Sequence, residues 1–502
     1  MIIKAPKRPY LLLFLFLGLA GCNTSTSSTS TTTDTTEAVA TNTQGQASGN
    51  EVVLSEQALA NARTNYTTYC AGCHGSELET FINRDWKYGT AHTAMFTSIK
   101  EGHPTTGMPG FANTLSDEEI NNLATFIRQG IVNKQAQNTS EGTGNDMAGV
   151  IRSEEVSFRL DTIVTGIEVP WGMAFLPNGD MLVTERSGTL YRLTNDRQLQ
   201  KIEGAPEVLA EGQGGLLDVE LHPDFRNNNV IFLSYSAVKR EGGETLSTTA
   251  IMRAQLDGNA LKNKKVIFEG QPWTKTRHHY GSRIEFGPDG NLYFTMGDRG
   301  GTFENPQDLS RHAGKTHRIK EDGSIPQDNP FVNKQGALPS IYTYGNRNPQ
   351  GLALNTSTKE MWAHEHGPKG GDEVNILEKG ANYGWPVVTY GIDYNGSIIS
   401  NEQRKEGIKD PIHYWVPSIA PSGMAFVTGN RYKGWEGDLL SGSMSFKFLS
   451  RAKVEGNQIV GEERLLKDIG RVRDVKMSPD GYVYIAVERP GAIFRLVPVD
   501  TQ

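Results

Sequence analysis

The chain has no surplus of positive charge: 50 Lys and Arg stand against 57 Asp and Glu, a formal charge of −7 over 502 residues. A phosphate-backbone partner needs clustered positive charge, so nucleic acid is excluded as a ligand class. Nor is the amino-terminal apolar run, Leu11 to Leu19, long enough to cross a bilayer; it has about nine residues where a spanning helix needs ~20. Cysteine is scarce, three in all. What is present argues for folded domains: hydrophobic residues at 37% and aromatics at 9% suffice for buried cores, which excludes wholesale disorder and collagen-like repetition. At roughly 150 residues per domain, the length predicts about three folding units. Glycine is abundant at 55 residues, and because it is poor inside helices and suited to tight turns, many short strands are expected.

Lys4, Lys7 and Arg8 ahead of the short apolar run read as a signal peptide over residues 1–21. Its end, Leu19-Ala20-Gly21-Cys22, resembles the bacterial lipobox, which implies that Cys22 carries lipid and anchors the chain to a membrane of the cell envelope, facing the periplasm. Asn23 after that cysteine favours the outer membrane under the enterobacterial sorting habit. Residues 22–50 are Thr, Ser, Gln, Gly and Asn with almost nothing apolar to offset the entropy of ordering, so they are expected to act as a tether. Coil statistics give it a span of about 30 Å.

The other two cysteines lie in Cys70-Ala71-Gly72-Cys73-His74. This is the c-type haem attachment pattern: Cys70 and Cys73 add to the haem vinyl groups and His74 supplies an axial nitrogen. A helical pattern precedes it (Leu59, Ala62, Tyr66, Tyr69), and Gly107-Met108-Pro109-Gly110 follows in a loop stiffened by Gly and Pro. Met108 is the expected sixth ligand, with Met95, His92 and His103 as competitors. Ser116-Asp117-Glu118-Glu119 is a capping box opening a helix that buries Ile120, Leu123, Ala124 and Ile127 and is predicted to stop at Gly130. Residues 51–133 resemble a class I cytochrome c.

From Lys134 to Glu155 the chain turns polar and Gly-rich, a second linker of about 20 residues. Beyond it a self-similar unit recurs: apolar strand, Pro or Asn with Gly, second alternating strand. It is seen at Trp171 to Thr184, Asp218 to Tyr235, Arg283 to Thr295, Gly351 to His364, Pro421 to Leu440 and Asp474 to Ala486. Six units over residues 156–502 are roughly 57 residues each, room for four strands and long loops. The predicted fold is an all-β six-bladed propeller preceded by a small all-α cytochrome c domain.

Several segments between the repeats resemble the soluble PQQ-dependent glucose and aldose sugar dehydrogenase family. They are Glu211-Gly212-Gln213-Gly214-Gly215, Arg277-His278-His279-Tyr280-Gly281-Ser282-Arg283, Gly345-Asn346-Arg347-Asn348-Pro349, His366-Gly367-Pro368-Lys369-Gly370-Gly371-Asp372, Asn382-Tyr383-Gly384-Trp385-Pro386 and Arg471-Val472-Arg473. The resemblance implies that His279 is the base for the anomeric hydroxyl, His278 being the alternative, with Gln213 and Asp372 orienting base and substrate. It implies that Arg347, Asn348, Arg471 and Arg473 hold the cofactor carboxylates, and that the Gly367 and Pro368 carbonyls bind calcium. Arginine forks suit carboxylates, and oxygen donors suit a hard cation. The alternation Arg471-x-Arg473 places both side chains on one strand face. The family has Gln where this chain has His366 and His where it has Asn346; its cofactor-binding Lys aligns strictly with Ser445, and Lys447, two residues on, is the expected cofactor-binding lysine.

The implied activity is PQQ- and calcium-dependent oxidation of an aldose sugar to its lactone. Electrons would pass to the c-type haem and on to an external acceptor such as a cytochrome, a copper protein or an oxidase. Two other readings stay open at this point: a haem-tethered propeller that binds glycans or proteins without turnover, and a dehydrogenase of a non-sugar alcohol or aldehyde such as sorbosone.

Overall fold

The computed structural model describes residues 54–70, 88–89, 91–103, 108, 110–140, 149–300 and 302–499, without side chains for 132–140. Cys22, Cys73 and His74 lie outside the described residues, as do the signal peptide and the tether.

Among the described residues, the amino-terminal domain is helical: α1 (Glu56–Tyr69), α2 (His92–Glu101) and α3 (Asp117–Ser140). Ser55 Oγ accepts from Ala58 N at 3.2 Å to cap α1. At α3 the capping box closes both ways: Ser116 N donates to Glu119 Oε2 at 2.8 Å, and Glu119 N donates to Ser116 Oγ at 3.2 Å. The expected face of α3 is buried, with Ile120, Leu123 and Ala124 at 0% exposure. It packs with Tyr66, Cys70, Met95 and Ile99 in one apolar cluster, against which Met108 and Phe111 also sit. Of the four residues expected on the inner face of α1, Ala62 and Tyr66 are buried, while Leu59 and Tyr69 are exposed. Gly130 does not end α3, which runs ten residues further, to Ser140. One interior glycine costs only about 1 kcal/mol relative to alanine, and the residues after it are tolerant of helix.

The segment first read as a linker therefore holds the end of α3, and its other end already belongs to the next domain. There β1 (Ile151–Arg152) pairs with β2 (Ser157–Thr165). Twenty-three further strands follow, and with β1 and β2 they form six sheets around an axis. The first blade is β3 (Pro170–Phe175) to β6 (Leu199–Ile202), the second β7 (Leu216–Leu221) to β10 (Ala260–Glu269) and the third β11 (Ile284–Phe286), β12 (Leu292–Met296), β13 (Lys315–Ile319) and β14 (Ile341–Tyr344). The fourth is β15 (Pro349–Asn355), β16 (Glu360–Glu365), β17 (Asp372–Ile376) and β18 (His413–Trp415); the fifth runs from β19 (Pro421–Phe426) through β20 (Leu439–Ser443) and β21 (Leu449–Glu455) to β22 (Gln458–Leu465). In the sixth, β23 (Arg471–Met477), β24 (Val483–Glu488) and β25 (Ala492–Pro498) are completed by β2 and β1. The ring is thus closed by hydrogen bonds between the first and last strands of the domain, which leaves no open sheet end at the join.

The repeated turn has a conformational cause. Gly179, Gly290 and Gly481, each following Asn or Asp in the Pro-Asn-Gly and Pro-Asp-Gly turns, have φ of +91°, +74° and +85°, where only glycine is unstrained. The first strands of consecutive blades surround the axis and approach closely. On Gly172 a Cβ would come within 2.7 Å of Asp218 Oδ1, and on Gly423 it would collide with Asp474. These two aspartates latch neighbouring blades: Asp218 Oδ2 accepts from Ile284 N and Asp474 Oδ2 from Met173 N, each at 2.9 Å. Apolar clusters fill the spaces between blades, such as Leu182, Leu190, Leu216 and Leu233 between the first and second. Each such side chain contributes about 1.5–3 kcal/mol on burial.

Candidate active site

The segments between blades meet at one mouth of the central channel. His279 stands on the loop entering β11 with φ +55°, an unfavourable conformation for a residue with a Cβ. Two side chains fix it there. Gln213 Oε1 accepts from His279 N at 2.8 Å, and Asp298 Oδ1 lies 2.6 Å from His279 Nδ1. Asp298, just past β12, is itself held by Gly300 N at 2.7 Å and Trp385 Nε1 at 2.9 Å. With Nδ1–H committed to Asp298, Nε2 is the ring atom left with a lone pair. Burial holds the imidazole pKa below its ordinary 6.5, with the Asp298 hydrogen bond opposing. Burial opposes ionisation of Asp298 too. Its hydrogen bond with His279, the imidazole charge and Arg347 outweigh that and keep it below the usual carboxylate range. His278 touches the His279 ring edge-on at 4.8 Å and has no carboxylate partner among the described residues.

Two cavities open here, and Gln213 lines both. The larger, about 720 Å³, is bounded by His278, His279, Asp298, Arg347 and the rings of Phe303, Trp385 and Tyr394. The smaller, about 440 Å³, carries four arginines (Arg186, Arg471, Arg473, Arg489) against Glu168 and Glu488, together with Trp171 and Asn348. Arg471 and Arg473 do share a strand face, and both pair with Glu488; Arg471 Nε is 3.0 Å from its Oε2. Asn348 Oδ1 accepts from Gly281 N at 3.1 Å, while its buried Nδ2 has no partner among the described residues.

These features fit a carboxylate-bearing cofactor: an excess of guanidinium groups, and an unsatisfied amide donor that a native site rarely leaves without cause. The oxygens of Gly367 and Pro368 are the donor type a hard cation takes, although Gly367 O here accepts from Arg347 Nη1 at 2.8 Å. A Cβ on Gly367 would collide with the backbone of Gly370 and Gly371, so the tight turn presenting these carbonyls needs glycine.

Two expected roles change. Asp372 is fully buried and does not bond His279: it accepts from Gly367 N at 2.8 Å, Ser418 Oγ at 2.7 Å and Ala420 N at 2.9 Å, so it fixes the Gly367–Pro368 turn. Burial pushes its pKa up to about 7. The carboxylate that holds the His279 ring is Asp298, which sequence reasoning missed; the only signal was the Gly297-Asp298-Arg299-Gly300 turn at a strand end. Lys447, exposed on the turn between β20 and β21, lines neither cavity.

In the helical domain, Cys70 is buried at the end of α1, and Met108 pairs with His103 through both backbone N–H groups, at 2.8 and 3.2 Å. Two competitors for the sixth position are engaged by protein: His92 Nε2 with Thr125 Oγ1 at 3.0 Å, and His103 Nε2 with Ser98 Oγ at 3.0 Å, the latter ring stacked on Tyr88. Met95 is buried between helices.

Fold and site together define a propeller dehydrogenase preceded by a cytochrome c domain. The chain belongs to the Glucose / Sorbosone dehydrogenase family, whose model matches residues 167–495; residues 57–127 match the model described as cytochrome C oxidase, cbb3-type, subunit III. An aldose sugar dehydrogenase of Escherichia coli (strain K12) is 37% identical over 362 residues, 70% of this chain and 96% of that one. A crystal structure of a glucose dehydrogenase is similar with a TM-score of 0.66 at 40% identity, covering 68% of this chain and 99% of that one. The PQQ-bound form of an aldose sugar dehydrogenase from Streptomyces coelicolor is similar with a TM-score of 0.56 at 28% identity, covering 68% and 98%.

Proposed function

We propose that this chain is a PQQ- and calcium-dependent aldose dehydrogenase. It oxidises the anomeric carbon to the lactone and passes the electrons to its own covalently bound c-type haem, then to an external acceptor. The observation that carries the reading is the His279–Asp298 pair beside an arginine-rich cavity containing the unpartnered Asn348 Nδ2.

When bound, PQQ would supply a two-electron quinone acceptor, calcium Lewis acidity, and haem one-electron storage. The protein's part is proton transfer and positioning. His279 Nε2 takes the proton of the anomeric hydroxyl, and Asp298 stabilises the imidazolium that results. Arg471 and Arg473 hold carboxylates, with the Asn348 amide in the same cavity and Arg347 in the larger one, and the Gly367 and Pro368 carbonyls take the cation. Phe303, Trp385 and Tyr394 give the sugar an apolar wall. Cys70 and Cys73 would attach the haem, and His74 and Met108 would supply its iron ligands. Cys22 carries lipid that places the enzyme in the bacterial envelope, facing the periplasm.

The test is reconstitution of the full chain with PQQ and Ca²⁺, an absorbance spectrum and a panel of aldoses and sorbosone. Aldose-dependent reduction of the haem supports the reading. Reduction of an artificial dye with the haem left ferric would overturn the electron route, and no turnover with any panel member would overturn the activity.

A further inference from the structure

The loop that carries Asp298 is long and has no strand or helix of its own among the described residues. It runs from Gly297, after β12, to Gly314, before β13, and supplies both the carboxylate behind His279 and the cavity residues Phe303 and Glu304. One side chain gathers it. Lys315, the first residue of β13, is 0% exposed, and its Nζ donates to Asn305 O at 2.6 Å and Ala313 O at 2.8 Å. Asn305, also buried, donates Nδ2 to Asp298 O at 2.8 Å and accepts at Oδ1 from Arg311 Nη1 at 2.7 Å. Hydrogen bonds thus link Lys315 to Asn305, Asn305 to Asp298 and Asp298 to His279, the first two ending on the backbone oxygens of Asn305 and Asp298.

No carboxylate of the described residues forms an ion pair with Lys315. Taking an ammonium out of water without a counter-ion is expensive, and an apolar side chain of similar volume would stabilise the blade more if filling space were all the position required. Burial pulls the Lys315 pKa down to about 7, with Asp308 and Asp298 opposing. Two backbone carbonyls converging on the buried Nζ are drawn together by it and hold the two ends of the loop at that point.

We propose that Lys315 is a positioning residue for the catalytic pair, its ammonium acting as a tethered internal cation that gathers the Asn305 and Ala313 carbonyls so that Asp298 is held against His279. The consequence for turnover rests on the reading of His279 as the base; the structural link does not.

The experiment uses the full chain without added PQQ, labelled with ¹⁵N-histidine. In the parent protein His279 shows a single ring tautomer with the proton on Nδ1. In Lys315→Met, a mixture of tautomers and about tenfold faster amide exchange across residues 298–313 are expected. Lys315→Arg restores the tautomer in part, and millimolar methylammonium restores it in Lys315→Ala by refilling the same place. After reconstitution, kcat falls with KM little changed. A parent-like His279 tautomer together with parent-like exchange in a folded Lys315→Met protein overturns the proposal. If that variant does not fold, Asn305→Ala decides. It leaves the ammonium in place but cuts the link to Asp298, and an unchanged His279 signal there overturns the proposal equally. Because the tautomer is read without cofactor or sugar, an inactive parent enzyme would refute the sugar-oxidation reading and leave this result standing.

Discussion

Asp298 Oδ1 lies 2.6 Å from His279 Nδ1, and the same carboxylate takes the indole N–H of Trp385 at 2.9 Å. One buried acid thereby fixes both the His279 ring and a wall of the larger cavity. Asp298→Asn preserves the shape but offers an amide that can no longer stabilise an imidazolium. A fall in kcat of about 10²–10⁴-fold is expected, with PQQ affinity unchanged within about twofold. Steady-state kinetics alongside a PQQ titration check this; loss of both together would mean the carboxylate serves the cofactor rather than the base.

The pH profile follows from the same burial. As the proposed base, His279 would work only unprotonated, and desolvation lowers its pKa from 6.5. The acidic limb of kcat/KM therefore has its midpoint below pH 6.5, with activity level above it until another group titrates. An acidic limb centred above 6.5 would assign the base to a different residue, His278 being the first to test by substitution.

A second pH effect concerns stability. Glu220 on β7, Glu285 on β11 and Lys476 on β23 interact across three innermost strands, Lys476 Nζ lying 3.3 Å from Glu220 Oε2. Burial and the neighbouring Glu220 push Glu285 up to about 8 from 4.5. Between those values the folded chain holds a proton that the unfolded chain gives up. The stabilisation is complete below pH 4.5 and is lost as pH rises through about 8. The melting temperature of the propeller should drop by about several °C from pH 5 to pH 9, and Glu285→Gln should flatten that slope. Parallel slopes for parent and variant would assign the pH dependence elsewhere.

How much of this was legible in the sequence depended on the range of the interaction. Turn glycines such as Gly179 and Gly290 act within four residues, so the six-fold repeat announced itself. The strand alternation of Arg471 and Arg473 is equally local. Asp298 reaches His279 only because β11 and β12 return the chain to the same end of the blade, and no spacing rule marks that pairing. Asp372 has the right chemistry, but the turn it stabilises is its own. Gly130 failed as a helix stop because a penalty of about 1 kcal/mol is small against the packing of Ile127 and Ile131 on either side. Lys315 left no signal at all, since a lysine at a strand start normally points to water.

The unpartnered Nδ2 of Asn348 gives the sharpest test of what fills the smaller cavity. A buried donor left unsatisfied costs about 1–3 kcal/mol, so a ligand oxygen there recovers that energy on binding. Asn348→Asp keeps the acceptor that holds Gly281 N and replaces the donor by a negative charge that repels carboxylates. PQQ affinity should fall by at least about tenfold, while the melting temperature of the cofactor-free protein stays within about 3 °C of the parent. Titration of the quinone absorbance against protein, with thermal melts of the same samples, separates the two quantities. If affinity survives, the carboxylates must be bound by Arg471 and Arg473 with no part played by the amide, and its missing partner is then a buried water rather than the cofactor.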